Sequence, residues 1–223
     1  MGFDQNWEKS YANNTQLSIW PWSDIVSLVN RYCKSLIMRG GGRVLELGCG
    51  AGANIPFFQS IGMDYYAIEG SPTIVRSLHD RYPELADKIN IGDFTKELPF
   101  TSSFDLVIDR ASLTHNTTAS IRKALDMTFN IINDDGVFIG SDWFSNSYTD
   151  FQWGEQSDDE FTKTFNTKGY FVGLGNVHFS DELHLRDLFS KFDVIFMEEK
   201  LYIRHEPKDN HQLASWNIVA RKR

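Results

Sequence analysis

The chain has little cysteine: Cys33 and Cys49 are the only two in 223 residues, too few for a disulfide framework. It has no apolar run near the ~18 residues that a membrane-spanning helix needs. The stretch Met1-Gly-Phe-Asp-Gln5 lacks the basic region and apolar core of a secretory leader, so the expected location is the cytoplasm, with reduced thiols. Positive charge is also scarce. Twenty-two Lys plus Arg against thirty Asp plus Glu give a formal charge of −8, which opposes binding to phosphate polymers and argues against a nucleic-acid partner. Arg221-Lys-Arg223 is the one dense basic cluster and reads as a solvated tail. His79, His184, His205 and His211 show no metal-ligand spacing, and Ser141 lacks a nucleophile-elbow setting, so neither a metal nor a covalent intermediate is expected. Repeats and low-complexity runs are absent. What remains is 41% hydrophobic content, enough for a single domain of 1–223 with its own core.

The most informative stretch runs from Arg43 to Asn54. An apolar strand through Val44 and Leu45 passes into glycines at alternate positions, Gly48, Gly50 and Gly52, with Cys49 between the first two. Such a turn opens onto a helix N-terminus and lets backbone approach a ligand that a Cβ would hold off. Gly48-x-Gly50-x-x-Ala53 also satisfies a relaxed dinucleotide fingerprint, so the turn by itself admits NAD. The carboxylates discriminate. Glu46 lies at the first strand end, Glu69 closes Tyr65-Tyr-Ala-Ile68 about twenty residues past the first glycine, and Asp93 ends Lys88-Ile-Asn-Ile-Gly92. Three carboxylates around one crevice repel a pyrophosphate but suit S-adenosylmethionine, which carries an ammonium and a sulfonium, and Glu69 can accept from ribose hydroxyls.

Four motifs in order, Val44-Leu-Glu-Leu-Gly-Cys-Gly-Ala-Gly52, Ile68-Glu-Gly-Ser71, Gly92-Asp-Phe94 and Phe104-Asp-Leu-Val-Ile-Asp109, resemble the class I S-adenosylmethionine-dependent methyltransferases over about residues 40 to 142. Trp7-Glu-Lys-Ser-Tyr11, Asp109-Arg-Ala-Ser-Leu-Thr-His115 and Gly175-Asn-Val-His178 are similar to a branch associated with bacterial surface-polysaccharide and glycan modification. The resemblance implies a Rossmann-like α/β fold with a doubly wound, mostly parallel seven-stranded sheet and an antiparallel edge. It implies a cofactor site of Glu46, Gly48, Cys49, Gly50, Gly52, Glu69, Gly70, Ser71, Asp93, Phe94, Asp109 and Arg110. It also implies a small-molecule acceptor, with a carbohydrate hydroxyl as the expected one.

The pattern of elements agrees. Strands are expected at about 43 to 47, 64 to 69, 88 to 92, 104 to 109 and 136 to 141, with helices from about 53, from Pro72 and over 119 to 132. Before them, Ser23 or Asp24 can cap a helix through Ile25, Leu28, Val29 and Tyr32 that Gly40-Gly-Gly42 ends. Ser71-Pro72 is a hydroxyl cap followed by a proline at the first helical position. The N-terminal arm and helix (1–40) carry Trp7, Tyr11, Trp20 and Trp22, which either fold over the ligands or dock on the core. Residues 143–180 form an aromatic insertion without clear periodicity, ahead of a helix expected from Ser180 to Ser190. Its rings read as an acceptor-stacking lid or as a cluster that buries itself. Strands about 192 to 199 and 214 to 220 close the sheet.

Methyl transfer from a sulfonium needs in-line alignment and exclusion of water, and a base only when the acceptor is a poor nucleophile. A sugar hydroxyl is one. His115, just past the fourth strand, is the first candidate base by intrinsic pKa. Asp109, Asn116, Asp142 and His178 follow, each with a structural alternative: an ion pair of Asp109 with Arg110, or a satisfied core histidine. Two rival functions stand beside this one, a binding module without turnover and an NAD-linked oxidoreductase.

Overall fold

The computed structural model describes residues 5–12 and 17–223. Parts of the arm at 1–4 and 13–16 therefore lie outside the described residues. Helix α1 (Gln5–Ala12) precedes α2 (Ser23–Tyr32) and a short α3 (Lys34–Met38). Next come β1 (Arg43–Leu47), α4 (Ile55–Ser60), β2 (Asp64–Glu69), α5 (Pro72–Arg81), β3 (Ile89–Ile91), β4 (Phe104–Arg110), α6 (Thr118–Ile131) and β5 (Ile132–Phe144). Short strands β6 (Glu155–Gln156), β7 (Thr162–Thr164) and β8 (Val177–His178) lead to α7 (Glu182–Leu188), β9 (Asp193–Ile203) and β10 (Gln212–Arg221).

Seven strands form one sheet in the order β3-β2-β1-β4-β5-β10-β9. The first five pair in parallel, and β10 runs antiparallel to both β5 and β9. The mixed sheet follows from the burial code. Central strands covered on both faces read as continuous apolar runs, and Val44, Leu45, Leu106 and Val107 have no solvent exposure. Alternate side chains go to opposite layers. Val44, Leu106 and Ile108 pack with Ile25, Phe58 and Leu78 from α2, α4 and α5, while Leu45, Leu47 and Val107 pack with Ile121, Leu125 and Leu185 from α6 and α7. The carboxyl ends of the parallel strands are thereby left open to a ligand, at the reversal of strand order between β1 and β4.

Several local expectations hold and others shift. Ser71 Oγ accepts from the Ile74 amide at 3.1 Å and caps α5, with Pro72 next. The helix expected from 23 to 39 is two helices, broken at Cys33, and Trp22 occupies the cap position without a side-chain bond. Asp24 does not cap it because its carboxylate is drawn to Lys200 and Asn217. The helix expected from Ser180 to Ser190 is α7, which Asp181 caps through the His184 amide at 2.8 Å. The insertion after β5 is ordered by a three-stranded sheet, β6-β7-β8, and by its own core of Phe165, Phe171, Val177 and Phe179.

Candidate active site

A cavity of about 610 Å³ opens at the carboxyl ends of β1, β2, β3 and β4, within the usual span for small-molecule sites. Its floor is the glycine turn. Gly48 and Gly50 adopt φ of +67° and +48°, a left-handed region that favours glycine. A Cβ on Gly48 would stand 2.4 Å from Ser112, and one on Gly50 would stand 3.2 Å from the Tyr11 hydroxyl. The turn is thus pressed between the β4 loop and α1. Gly52 serves differently: it does not line the cavity, and its Cβ position is filled by Ile55 and Leu78. Cys49 is buried at the cavity wall, where desolvation and the carboxylates Glu69 and Glu46 raise its thiol pKa well above the usual value.

The carboxylates expected to rim the crevice all reach it. Glu69 takes the Gly50 amide on one oxygen and the Ser71 amide on the other, each at 2.9 Å, so the cofactor turn and the next helix are clamped by one side chain. Each carboxylate oxygen can accept more than one donor, which leaves capacity toward the cavity for a diol. Burial raises its pKa, opposed by those amides. Glu46 accepts from Asn54 Nδ2 at 2.8 Å and from the Tyr65 hydroxyl at 2.5 Å, and burial pushes its pKa to about 7. Asp93 is half-buried, and despite that burial its bonds with Thr95 and Lys96 keep its carboxyl below the usual range. Phe94 and Gly70 line the cavity beside it. These donors and acceptors fit S-adenosylmethionine: an acceptor pair for a ribose, carboxylates for an ammonium, and a ring beside a polar acceptor for a purine.

Besides Gly52, three expected site residues do not line the cavity. Asp109 is fully buried and committed: it accepts from the Leu113 amide at 3.0 Å, Trp143 Nε1 at 2.7 Å and the Ser112 hydroxyl. It shapes the loop that carries the site, and does not pair with Arg110. Burial raises its pKa to about 6. Ser71 is consumed by its cap and by the Glu8 carboxylate. His178 is buried between Thr162 Oγ1 at 3.2 Å and His184 Nε2 at 3.0 Å, and it is not among the residues that line the cavity.

Arg110 and His115 do face the cavity. The Arg110 guanidinium lies 3.6 Å from the centre of the Trp22 ring and bonds Asp142 through Nε at 3.1 Å. Asp142 also accepts from Lys200 Nζ at 2.6 Å, and Lys200 continues to Asp24. Burial opposes the charge on Lys200, but the two carboxylates hold its pKa above the ordinary lysine range. Ala111 and Asp142 have φ of +58° and +55°, conformations that cost on the order of 1–3 kcal/mol each and survive only where surroundings over-determine them. The ion chain holds Asp142, and the Ala111 amide bonds the Ser141 carbonyl at 3.1 Å. His115 stands between Trp7, edge-on at 4.8 Å, and Phe144, edge-on at 5.7 Å.

The aromatic side chains divide between the cavity wall and the protein core. From the arm, Trp7, Tyr11 and Trp22 line the cavity, and Glu8 ties α1 to the Ser71 and Thr73 hydroxyls. From the insertion, Phe144, Tyr170 and Phe171 line it, while Phe151, Trp153, Phe165 and Phe179 bury one another. Asn54, Ser112 and the Lys200–Asp24 pair went unforeseen. Asn54 carried a signal, an amide following a glycine turn. Lys200 carried none, since it comes from a strand three positions across the sheet from β4.

Residues 45–140 match the family described as methyltransferase domain. No curated protein matches the chain. Among solved structures, the chain is similar to a S-adenosylmethionine-dependent methyltransferase of Methanosarcina mazei, at 16% identity over 92% of this chain and 99% of that one, with a TM-score of 0.69. It is also similar to the N-methyltransferase NodS of Bradyrhizobium japonicum in complex with S-adenosyl-L-homocysteine, at 15% identity, 98% and 97% coverage and a TM-score of 0.64. A third is a S-adenosylmethionine-dependent methyltransferase of Clostridium acetobutylicum, at 13% identity, 97% and 96% coverage and a TM-score of 0.63. At these identities the likenesses establish the fold, and the family match adds the activity. Over residues 45–140 the chain matches a methyltransferase domain, set on a fold shared with S-adenosylmethionine-dependent methyltransferases.

Proposed function

We propose that the chain transfers a methyl group from S-adenosylmethionine to a hydroxyl of a small, ring-shaped acceptor, with a sugar or glycan precursor as the first candidate. The observation that carries this reading is the position of His115. It stands on the wall between two aromatic rings, in a cavity that the carboxylates suited to the cofactor and the ion pair of Arg110 and Asp142 also line. Ring faces together with a charged corner suit a molecule with apolar and hydroxylated sides.

The cofactor, when bound, supplies an electrophilic methyl on a sulfonium. Glu69 would accept from its ribose, Asp93 and Phe94 would hold its adenine, and Glu46, through its carboxylate or a water, would receive its ammonium. Trp7, Phe144 and Phe171 exclude water and align the acceptor, which is where most of the rate in such a displacement arises. His115 takes the hydroxyl proton as the oxygen attacks. The test is release of S-adenosylhomocysteine with a panel of sugars, sugar nucleotides and phenols. Turnover on hydroxyl acceptors that His115→Gln abolishes supports the reading. Tight cofactor binding without turnover on any of them sinks it in favour of a binding module.

A further inference from the structure

Apart from Met38 and Leu183, every large apolar side chain exposed among the described residues stands at the carboxyl end of the seven-stranded sheet, the end that carries the cavity. The placement follows from the topology. Ile91 ends β3, and Leu201 to Ile203 end β9, which pairs with the start of β10 beside the end of β5. The rest lie in the two segments that line the mouth: Leu17 and Tyr170 line the cavity themselves, Ile19 and Trp20 fall between the lining residues Ser18 and Trp22, and Val172 falls between Phe171 and Leu174. Isolated apolar residues on a surface need no explanation, but a concentration of them around one opening does. Leu17 and Tyr170 join the two regions, since both line the cavity and yet remain 41% and 58% exposed.

The rim is built, not incidental. Fully buried Asp150 accepts from the Tyr170 amide at 2.6 Å and from His211 Nε2 at 2.5 Å, and the His211 ring meets Tyr170 edge-on at 4.6 Å. Gly169, at φ +105°, would bring a Cβ within 2.5 Å of that same carboxylate. A buried carboxylate and a required glycine therefore hold an aromatic ring in the solvent at the mouth. Meanwhile the cavity of about 610 Å³ must take both a nucleoside cofactor and the reacting part of the acceptor. An acceptor much larger than one ring has to leave through the mouth, across these side chains.

We infer that the acceptor is amphipathic: a hydroxyl-bearing head enters the cavity and an apolar chain or aglycone lies over the rim formed by Leu17, Trp20, Tyr170 and Val172. This rests on the methyl-transfer reading above and specifies its substrate class. The formal charge of −8 disfavours an anionic lipid surface as the occupant of the same rim.

The test titrates methyl, hexyl and octyl β-glucosides, below their micellar concentrations, into protein saturated with S-adenosylhomocysteine. Affinity is expected to rise with chain length by up to about fourfold per methylene buried. The triple variant Ile19→Ser, Trp20→Ser, Val172→Ser is expected to flatten that rise while binding S-adenosylhomocysteine as the parent does. Equal affinities across the series, or a rise that persists in the variant, would overturn the inference. So would binding of the unliganded parent to phosphatidylcholine vesicles that the variant loses, which would make a lipid surface the occupant. Failure to bind S-adenosylhomocysteine at all would instead strike the methyl-transfer reading.

Discussion

Glu46 shows how much one side chain's surroundings set its chemistry. It is enclosed with Asn54 and Tyr65, and burial brings its pKa to about 7, in the range where a bound ammonium changes its protonation. A cation-bearing cofactor binds the ionised form, so S-adenosylmethionine affinity is expected to fall several-fold as pH drops from 8 to 6. Glu46→Gln is expected to bind more weakly and without this dependence, and calorimetry in buffers of different ionisation heat would register the released proton. A pH-independent parent would contradict the assignment. For His115, replacement by Ala is expected to lower kcat by about 10²–10⁴ while S-adenosylhomocysteine affinity stays within about threefold. Single-turnover assays beside equilibrium titration separate the two effects. Asp109 teaches the opposite lesson. Its motif position marks it for the ligand, but the Trp143 indole, the Ser112 hydroxyl and the Leu113 amide use its oxygens, and those partners come from a loop and a neighbouring strand.

Elements were legible where local chemistry decides them. The Ser71-Pro72 cap, the amphipathic α6 and the apolar strands β1, β2 and β4 all follow from residue order. Ser71→Ala is expected to cost about 1 kcal/mol of stability by removing the cap. It also takes a hydroxyl from Glu8, so denaturant melts should be paired with a protease assay of α1. The insertion was not legible, because β6, β7 and β8 are two or three residues long and their pairing depends on a shared aromatic core, not on any period of their own. His178, between two residues of that core, is itself buried against Thr162, His184 and Phe161. Burial and the neighbouring His184 lower its pKa to about 3. An unfolded histidine takes its proton near pH 6.5, so this group's contribution is complete above that value and is lost as pH falls toward 3. Glu46 and Asp109, whose pKa values are raised, act in the opposite sense over part of that range. Comparing His178→Gln with its parent cancels them: the deficit in Tm is expected to shrink between pH 7 and pH 4. A constant deficit would show that the imidazole does not titrate with folding.

At the scale of the whole molecule, a parallel sheet with helices on both faces leaves the strand ends as the place where charge and backbone can meet a ligand. The arm and the insertion both line the cavity at that edge, through Trp7 and Tyr11 from one and Phe144 and Phe171 from the other. The ion chain from Arg110 through Asp142 and Lys200 to Asp24 joins β4, β5, β9 and α2 beside the cavity. Everything proposed about acceptor and base depends on the ligand that Glu46, Glu69 and Asp93 select. The direct test is calorimetric titration of the purified chain with S-adenosylmethionine, S-adenosylhomocysteine and NAD, repeated on Glu69→Ala. The account predicts binding of the first two, no binding of NAD, and a loss of about tenfold or more in the variant, as expected when a charged acceptor of hydrogen bonds is removed. Binding of NAD, or an unchanged affinity in Glu69→Ala, would contradict it.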